Sequence, residues 1–170
     1  DTPNIAPILV RFPVGAGSQA PAGRGSNANP RSFATVSNGA KPHVYDVLAM
    51  AFIQEGTSTC FALMGDANMN WAARLAQQGC RMVYVRHEHC SVAAAMAYAR
   101  KTGDVGVATV TCGPGVTQLI TALPAAVRAH LPLVVFAGEA PLKSSWYNQG
   151  LDQAPLIKAT GAEYHRLHLP

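Results

Sequence analysis

The sequence predicts an α/β fold: one domain built on a doubly wound, mostly parallel sheet with helices on both faces. Three observations predict it. Short apolar runs at 59–64, 82–85, 105–112 and 131–137 alternate with helix-like stretches of roughly ten to fifteen residues, the pattern of right-handed crossovers between parallel strands. The run LPLVVFA at 131–137 is nearly all apolar, as a strand covered on both faces must be. Glycines at 56, 79 and 103 fall where the helical patterns end.

Residues 1–41 are rich in Pro, Gly, Ser, Asn and Ala, with one short apolar patch at Ile8, Leu9, Val10 and Phe12. Such a composition buries too little surface to offset its ordering entropy, so a flexible tail without a stable fold is expected. Its arginines and its lack of acids after Asp1 resemble a transit peptide. The domain proper is placed at 42–170. Val44, Val47, Leu48, Ala51 and Phe52 recur at helical spacing and predict an amphipathic helix stopped at Gly56. The first strand, Thr59 to Met64, leads to a Gly65-Asp66 turn. Asn68 stands at the N-cap of a second helix striped by Trp71, Ala72, Leu75 and Ala76. Met82 to Val85 is the next strand, followed at once by an alanine-rich helix that runs to Lys101 and stops at Gly103. Val105 to Cys112 is a strand that Gly113-Pro114-Gly115 turns into a helix from about Val116 to His130, in which Pro124 should cause a kink or a restart. After the 131–137 strand come a polar loop, a short helix near 154–159 and a last strand near 164–169. The architecture is of the flavodoxin-like kind.

Charged residues make up only 13% of the chain against 49% hydrophobic, less charge than a solvated surface commonly carries. Part of the surface is therefore expected to meet a partner, and the small side chains of Ala93, Ala94, Ala95 and Ala97 suit a close contact. The formal net charge is +4, of which the first 41 residues supply +3. The remainder is nearly neutral, which argues against a nucleic-acid partner. No run of 18 apolar residues is present, so a membrane span is not expected. The cysteines Cys60, Cys80, Cys90 and Cys112 lack paired metal or disulfide spacing and read as reduced thiols in a cytoplasmic setting.

Chemistry is expected at the carboxyl ends of the strands, where open α/β sheets bind their ligands. Glu88, delivered by the Met82 strand to the start of the alanine helix, is the leading candidate; a helix cap or a pair with Arg86 is the plainer reading of its position. His87-Glu88-His89 has the wrong spacing for a zinc helix, which places histidines at i and i+4. Gly113-Pro114-Gly115 has half of a dinucleotide fingerprint without its third glycine, and no P-loop occurs. Its steric meaning is stronger: glycines let a ligand ring approach main chain without meeting a Cβ.

The run VRHEHCSVAAAMAYARKTGDVGVATVTCGPGVTQLITAL, followed by LPLVVFAGEAP, resembles the pyrimidine-binding (PYR) domain of thiamine-diphosphate-dependent enzymes of the acetolactate synthase, benzoylformate decarboxylase and pyruvate decarboxylase group. The resemblance implies that Glu88 hydrogen-bonds N1′ of the cofactor's aminopyrimidine and favours the imino form of the 4′-amino group, which can then take a proton from thiazolium C2. It implies that Gly113, Pro114 and Gly115 line the cofactor pocket, with Gln118 where the family usually has Asn. Gly65 and Asp66 match the family's glycine loop, although Ala62 and Met64 stand where many members have Gly and Pro. Gln149 falls near a family glutamine of the substrate pocket, in altered surroundings.

The family holds the diphosphate and Mg²⁺ on a second, PP-type domain carrying a Gly-Asp-Gly motif, and no such motif occurs here. No metal ligand is therefore assigned to this chain. The expectation is half an active site of an acetolactate synthase-like carboligase or 2-oxo acid decarboxylase, working as a homodimer or tetramer of the complete enzyme. The missing initiating Met favours a fragment over the α-type subunit of a split sulfopyruvate or phosphonopyruvate decarboxylase. A non-catalytic α/β module kept for assembly is the rival of a different class.

Overall fold

The computed structural model describes residues 8–11, 42–141 and 146–167. In chain order the elements are β1 (Ile8–Arg11), α1 (Val44–Gln54), β2 (Thr59–Ala62), α2 (Met69–Gln77), β3 (Arg81–Tyr84), α3 (Glu88–Thr102), β4 (Gly106–Val110), α4 (Pro114–Thr117), α5 (Ala122–Arg128), β5 (Leu133–Ala137), α6 (Gln153–Ala159) and β6 (Glu163–Arg166). They form one six-stranded sheet in the order β3-β2-β4-β5-β1-β6. The pairs β3–β2, β2–β4 and β4–β5 are parallel, and β1 lies antiparallel between β5 and β6.

Residues 8–11, within the segment expected to have no stable fold of its own, pair with strands of the domain's sheet. Their backbone pairs Ile8 with Ala137 and with Arg166, on either side. The apolar patch in the tail thus supplies a strand, because the β5 edge would otherwise leave a row of backbone groups unpaired. The rest of the segment up to residue 41 lies outside the described residues.

Alternate residues of the central strands face opposite cores. Ala108, Val110, Leu133, Val135 and Ala137 pack with Val92, Leu119, Leu123 and Ile157 from α3 to α6. Val107 and Phe136 instead join Cys60, Trp71, Ala72 and Leu75 beside α1 and α2. Both faces of the sheet are covered, and every residue of β4 is buried.

Three local details refine the reading of the sequence. The inward face of α1 is Tyr45, Leu48, Ala49, Phe52 and Ile53, while Val44, Val47 and Ala51 are exposed. Phe52 sets this choice by placing its ring edge-on to Trp71, which stacks on Phe136 at 4.0 Å. The helix expected over 116–130 is broken into α4 and α5, with Pro124 in the first turn of α5, where a missing N–H costs nothing. In α3, Ala95 and Ala99 are buried within the domain, and a Cβ on Gly106 would overlap the Ala95 carbonyl. Part of the alanine content therefore serves close helix-on-strand packing, whereas Ala93 and Ala94 are half-buried and Ala97 is exposed.

No helix among the described residues is long and apolar enough to cross a membrane. Cys60, Cys80 and Cys112 are buried and Cys90 is exposed, all as free thiols. Burial pushes the Cys60 and Cys80 thiols up, Cys80 to about 11, and the proximity of Cys80 adds to the rise at Cys60.

Candidate functional site

Because β3, β2 and β4 are adjacent and parallel, their carboxyl ends lie on one edge of the sheet. Strands in a sheet are spaced by about 4.8 Å, so the junctions after β3 and β4 flank the β2 junction across roughly 10 Å. On this edge stand Glu88 after β3, Gly65 and Asp66 after β2, and Gly113, Pro114 and Gly115 after β4.

Glu88 is the first residue of α3 and is half-buried. It is not the cap: His87 takes that place, and its Nδ1 accepts a hydrogen bond from the His89 N–H at 3.1 Å. The Glu88 carbonyl accepts from Ser91 Oγ at 2.7 Å. Its carboxylate has no hydrogen-bond or ion-pair partner among the described residues, Arg86 included. At this point the exposed N–H groups of the first helical turn favour negative charge. A half-buried carboxyl with its lone pairs unengaged is suited to meet a polar atom of a ligand.

The β4 turn is shaped by main chain. Gly113 has φ +56, and a Cβ there would overlap the Gln149 carbonyl, so the turn demands glycine on two counts. Gly113 and Gly115 are buried and Pro114 is exposed. Gln149 is thereby brought against the turn, and its Oε1 accepts from Cys112 Sγ at 3.6 Å and from Tyr147 OH at 3.5 Å. Burial raises the Cys112 thiol and the Tyr147 phenol, and the Asp66 carboxylate pushes both further in the same direction. Gln118 ends α4 as an exposed residue beyond the turn.

The β2 turn is built on Asn68. This residue occupies the N-cap position of α2, but its side chain does not cap the helix. It is buried and reaches back, accepting from Gly65 N–H at 2.8 Å and donating to the Leu63 carbonyl at 3.1 Å and to Thr109 Oγ1 at 2.9 Å. A Cβ on Gly65 would collide with Thr111, and the Thr111 hydroxyl is buried with no partner among the described residues.

Two further polar residues went unsingled in the sequence. Gln153, at the start of α6, is buried and bridges the β4 and β5 turns. Its signal was a polar residue on the same helical face as buried Ile157. Glu139, just past β5, is buried and forms a two-pronged ion pair with Arg166 of β6, one contact at 2.5 Å. Among the described residues no group of three or more His, Cys, Asp or Glu side chains is arranged to hold a metal ion.

A family model described as thiamine pyrophosphate enzyme, N-terminal TPP binding domain, matches residues 42–157. Acetolactate synthase 3, chloroplastic, of Brassica napus is 34% identical over 116 residues, 68% of this chain and 18% of that protein. The chloroplastic acetolactate synthase of Arabidopsis thaliana is 34% identical over 116 residues, 68% of this chain and 17% of that protein. The 2-hydroxyacyl-CoA lyase 2 of Danio rerio is 36% identical over 118 residues, 68% of this chain and 19% of that protein. The chain spans less than a fifth of the length of these curated relatives. With the doubly wound sheet, the glutamate at the β3 end and the glycine turn at the β4 end, the chain belongs to the thiamine pyrophosphate enzymes, of which it carries the N-terminal, PYR-type domain.

Proposed function

We propose that this domain is the pyrimidine-binding half of an acetolactate synthase-like carboligase or 2-oxo acid decarboxylase, in which Glu88 activates the cofactor. The observation that carries the reading is the Glu88 carboxyl, half-buried and without a partner among the described residues, on the sheet edge that also bears the Gly113 turn. The residues fit an aminopyrimidine ring. Gly113 and Gly115 let the turn close tightly on Gln149 and Thr111 and leave Pro114 at its exposed surface, and Glu88 offers an oxygen to a ring nitrogen.

When bound, thiamine diphosphate supplies a carbon nucleophile, C2 of its thiazolium, able to attack a ketone or 2-oxo acid. The work of this chain is narrower. Glu88 holds or shares a proton at N1′, and a carboxyl there contributes through general acid-base catalysis. Gly113, Pro114 and Gly115 give the ring a wall and keep water from its face. Gly65 and Asp66 form the opposite rim, and Gln149 with Tyr147 borders the substrate side. Diphosphate and Mg²⁺ are assigned to a PP-type domain or subunit. The half-buried Ala93 and Ala94 and exposed Ala97 of α3, with the low overall charge, favour a homodimer or tetramer in which the two domain types meet.

The test is calorimetric titration of the complete enzyme with thiamine diphosphate and Mg²⁺, for wild type and Gly113→Val. Saturable binding in wild type with loss of affinity in Gly113→Val is expected, since the valine would meet both the positive φ and the Gln149 carbonyl. Equal affinity in the two proteins would place the pyrimidine elsewhere.

A further inference from the structure

We propose that Gln153 is the positioning residue that fixes the Gly113–Pro114–Gly115 turn, and that one buried side-chain amide thereby sets the wall of the pyrimidine pocket. The inference rests on the pocket reading above for its functional part. Gln153 is 1% exposed, the first residue of α6, on a helix that Asp152 caps through a bond from the Ala154 N–H. Its Oε1 accepts from the Gly113 N–H at 2.9 Å, and its Nε2 donates to the Gly138 carbonyl at 3.1 Å. The two partners fix the amide's orientation, because the reverse orientation would set donor against donor and acceptor against acceptor. An amide carries the donor and the acceptor that the two bonds need, whereas an ionised carboxylate has no donor for Gly138.

The bridge extends beyond two turns. Gly138 packs so closely on Ala67 that a Cβ at 138 would overlap it, and Ala67 follows Asp66 in the β2 loop. The β4, β5 and β2 turns are thus held at one spacing through Gln153 and Gly138. Gly113 itself sits at φ +56 against the Gln149 carbonyl, and its own carbonyl accepts from the Val116 and Thr117 N–H groups, so the Gln153 bond is the one that engages its N–H. Without the bond to Gln153 its buried N–H would be left unpaired, and the turn would move to find a partner. The wall meets the cofactor in the ground state and the transition state alike, so its displacement acts on binding rather than on the chemical step.

The experiment compares Gln153→Met, which keeps volume and removes both bonds, with Gln153→Ala in the complete enzyme. Amide hydrogen exchange at Gly113 is read first, in protein without cofactor. Exchange about tenfold faster in both variants is expected from the loss of one buried bond. The second reading is the thiamine diphosphate concentration for half-maximal activity against kcat at saturation, with folded fraction checked by thermal melting. Half-activation is expected to rise about tenfold in both variants, with kcat little changed. A Met variant that protects Gly113 as wild type does, or that keeps wild-type cofactor affinity, would overturn the proposal by showing that Gln153 serves packing alone. Should wild type itself fail to bind thiamine diphosphate, the pocket reading falls, and the cofactor-free Gly113 exchange still decides whether Gln153 fixes the turn.

Discussion

Glu88→Gln in the complete enzyme is expected to slow hydrogen–deuterium exchange at C2 of bound thiamine diphosphate by ~10²–10⁴-fold, the usual contribution of a positioned acid-base group. The substitution keeps size and removes only the ionisable oxygen. Cofactor affinity should fall much less, because the diphosphate and metal are assigned to another domain. The structure separates this outcome from a capping role. His87 caps α3, and the Glu88 side chain takes no part in that bond, so the stability lost should be no more than the about 0.3–1 kcal/mol that a negative charge in the first helical turn contributes. A drop in stability with unaltered exchange would mean that the carboxylate serves the helix and not the cofactor.

The largest effect on folding is expected at Trp71. Its ring is 1% exposed, stacks on Phe136 at 4.0 Å and meets the edge of Phe52 at 5.0 Å. Trp71→Ala empties the core between α1, α2 and the sheet, at a cost of about 3–5 kcal/mol. That is a large share of the roughly 5–15 kcal/mol that holds a domain together. Trp71→Phe should cost far less than its lost volume alone implies. The Trp71 Nε1–H is buried with no partner among the described residues, and phenylalanine removes that unpaired donor. Urea denaturation checks both: the midpoint should fall steeply for Ala and mildly for Phe, at unchanged slope. A fall for Phe well above that expected from its lost volume would show that the indole nitrogen has a partner in solution.

Most of the alternation of strands and helices was legible because it is local. Gly103 closes α3 in the left-handed conformation at φ +80, and Pro124 restarts α5, as glycine and proline chemistry requires. The placement of Glu88 and Gly113 at strand ends was legible for the same reason, since each follows its strand closely in the chain. The features that were not legible depend on residues distant in the chain. The β1 patch is four residues among Pro, Gly and Ser, and its pairing joins Leu9 to Phe136 and His165. The inward face of α1 is rotated by one residue because aromatic packing on Trp71 outweighs the Val44–Val47 stripe. Asn68 reads locally as a helix cap, yet its bonds go back to Gly65 and across to Thr109. Gln153 is polar and buried for the sake of Gly113 and Gly138, main-chain groups on two other strands' turns, and no periodicity announces such a bridge.

The most direct measurement is a crystal structure of the complete enzyme with thiamine diphosphate bound, read at one distance. A Glu88 carboxylate oxygen is expected within about 2.6–3.2 Å of N1′, with the aminopyrimidine lying against Gly113–Gly115. A pyrimidine ring bound elsewhere, with Glu88 facing solvent, would contradict the account.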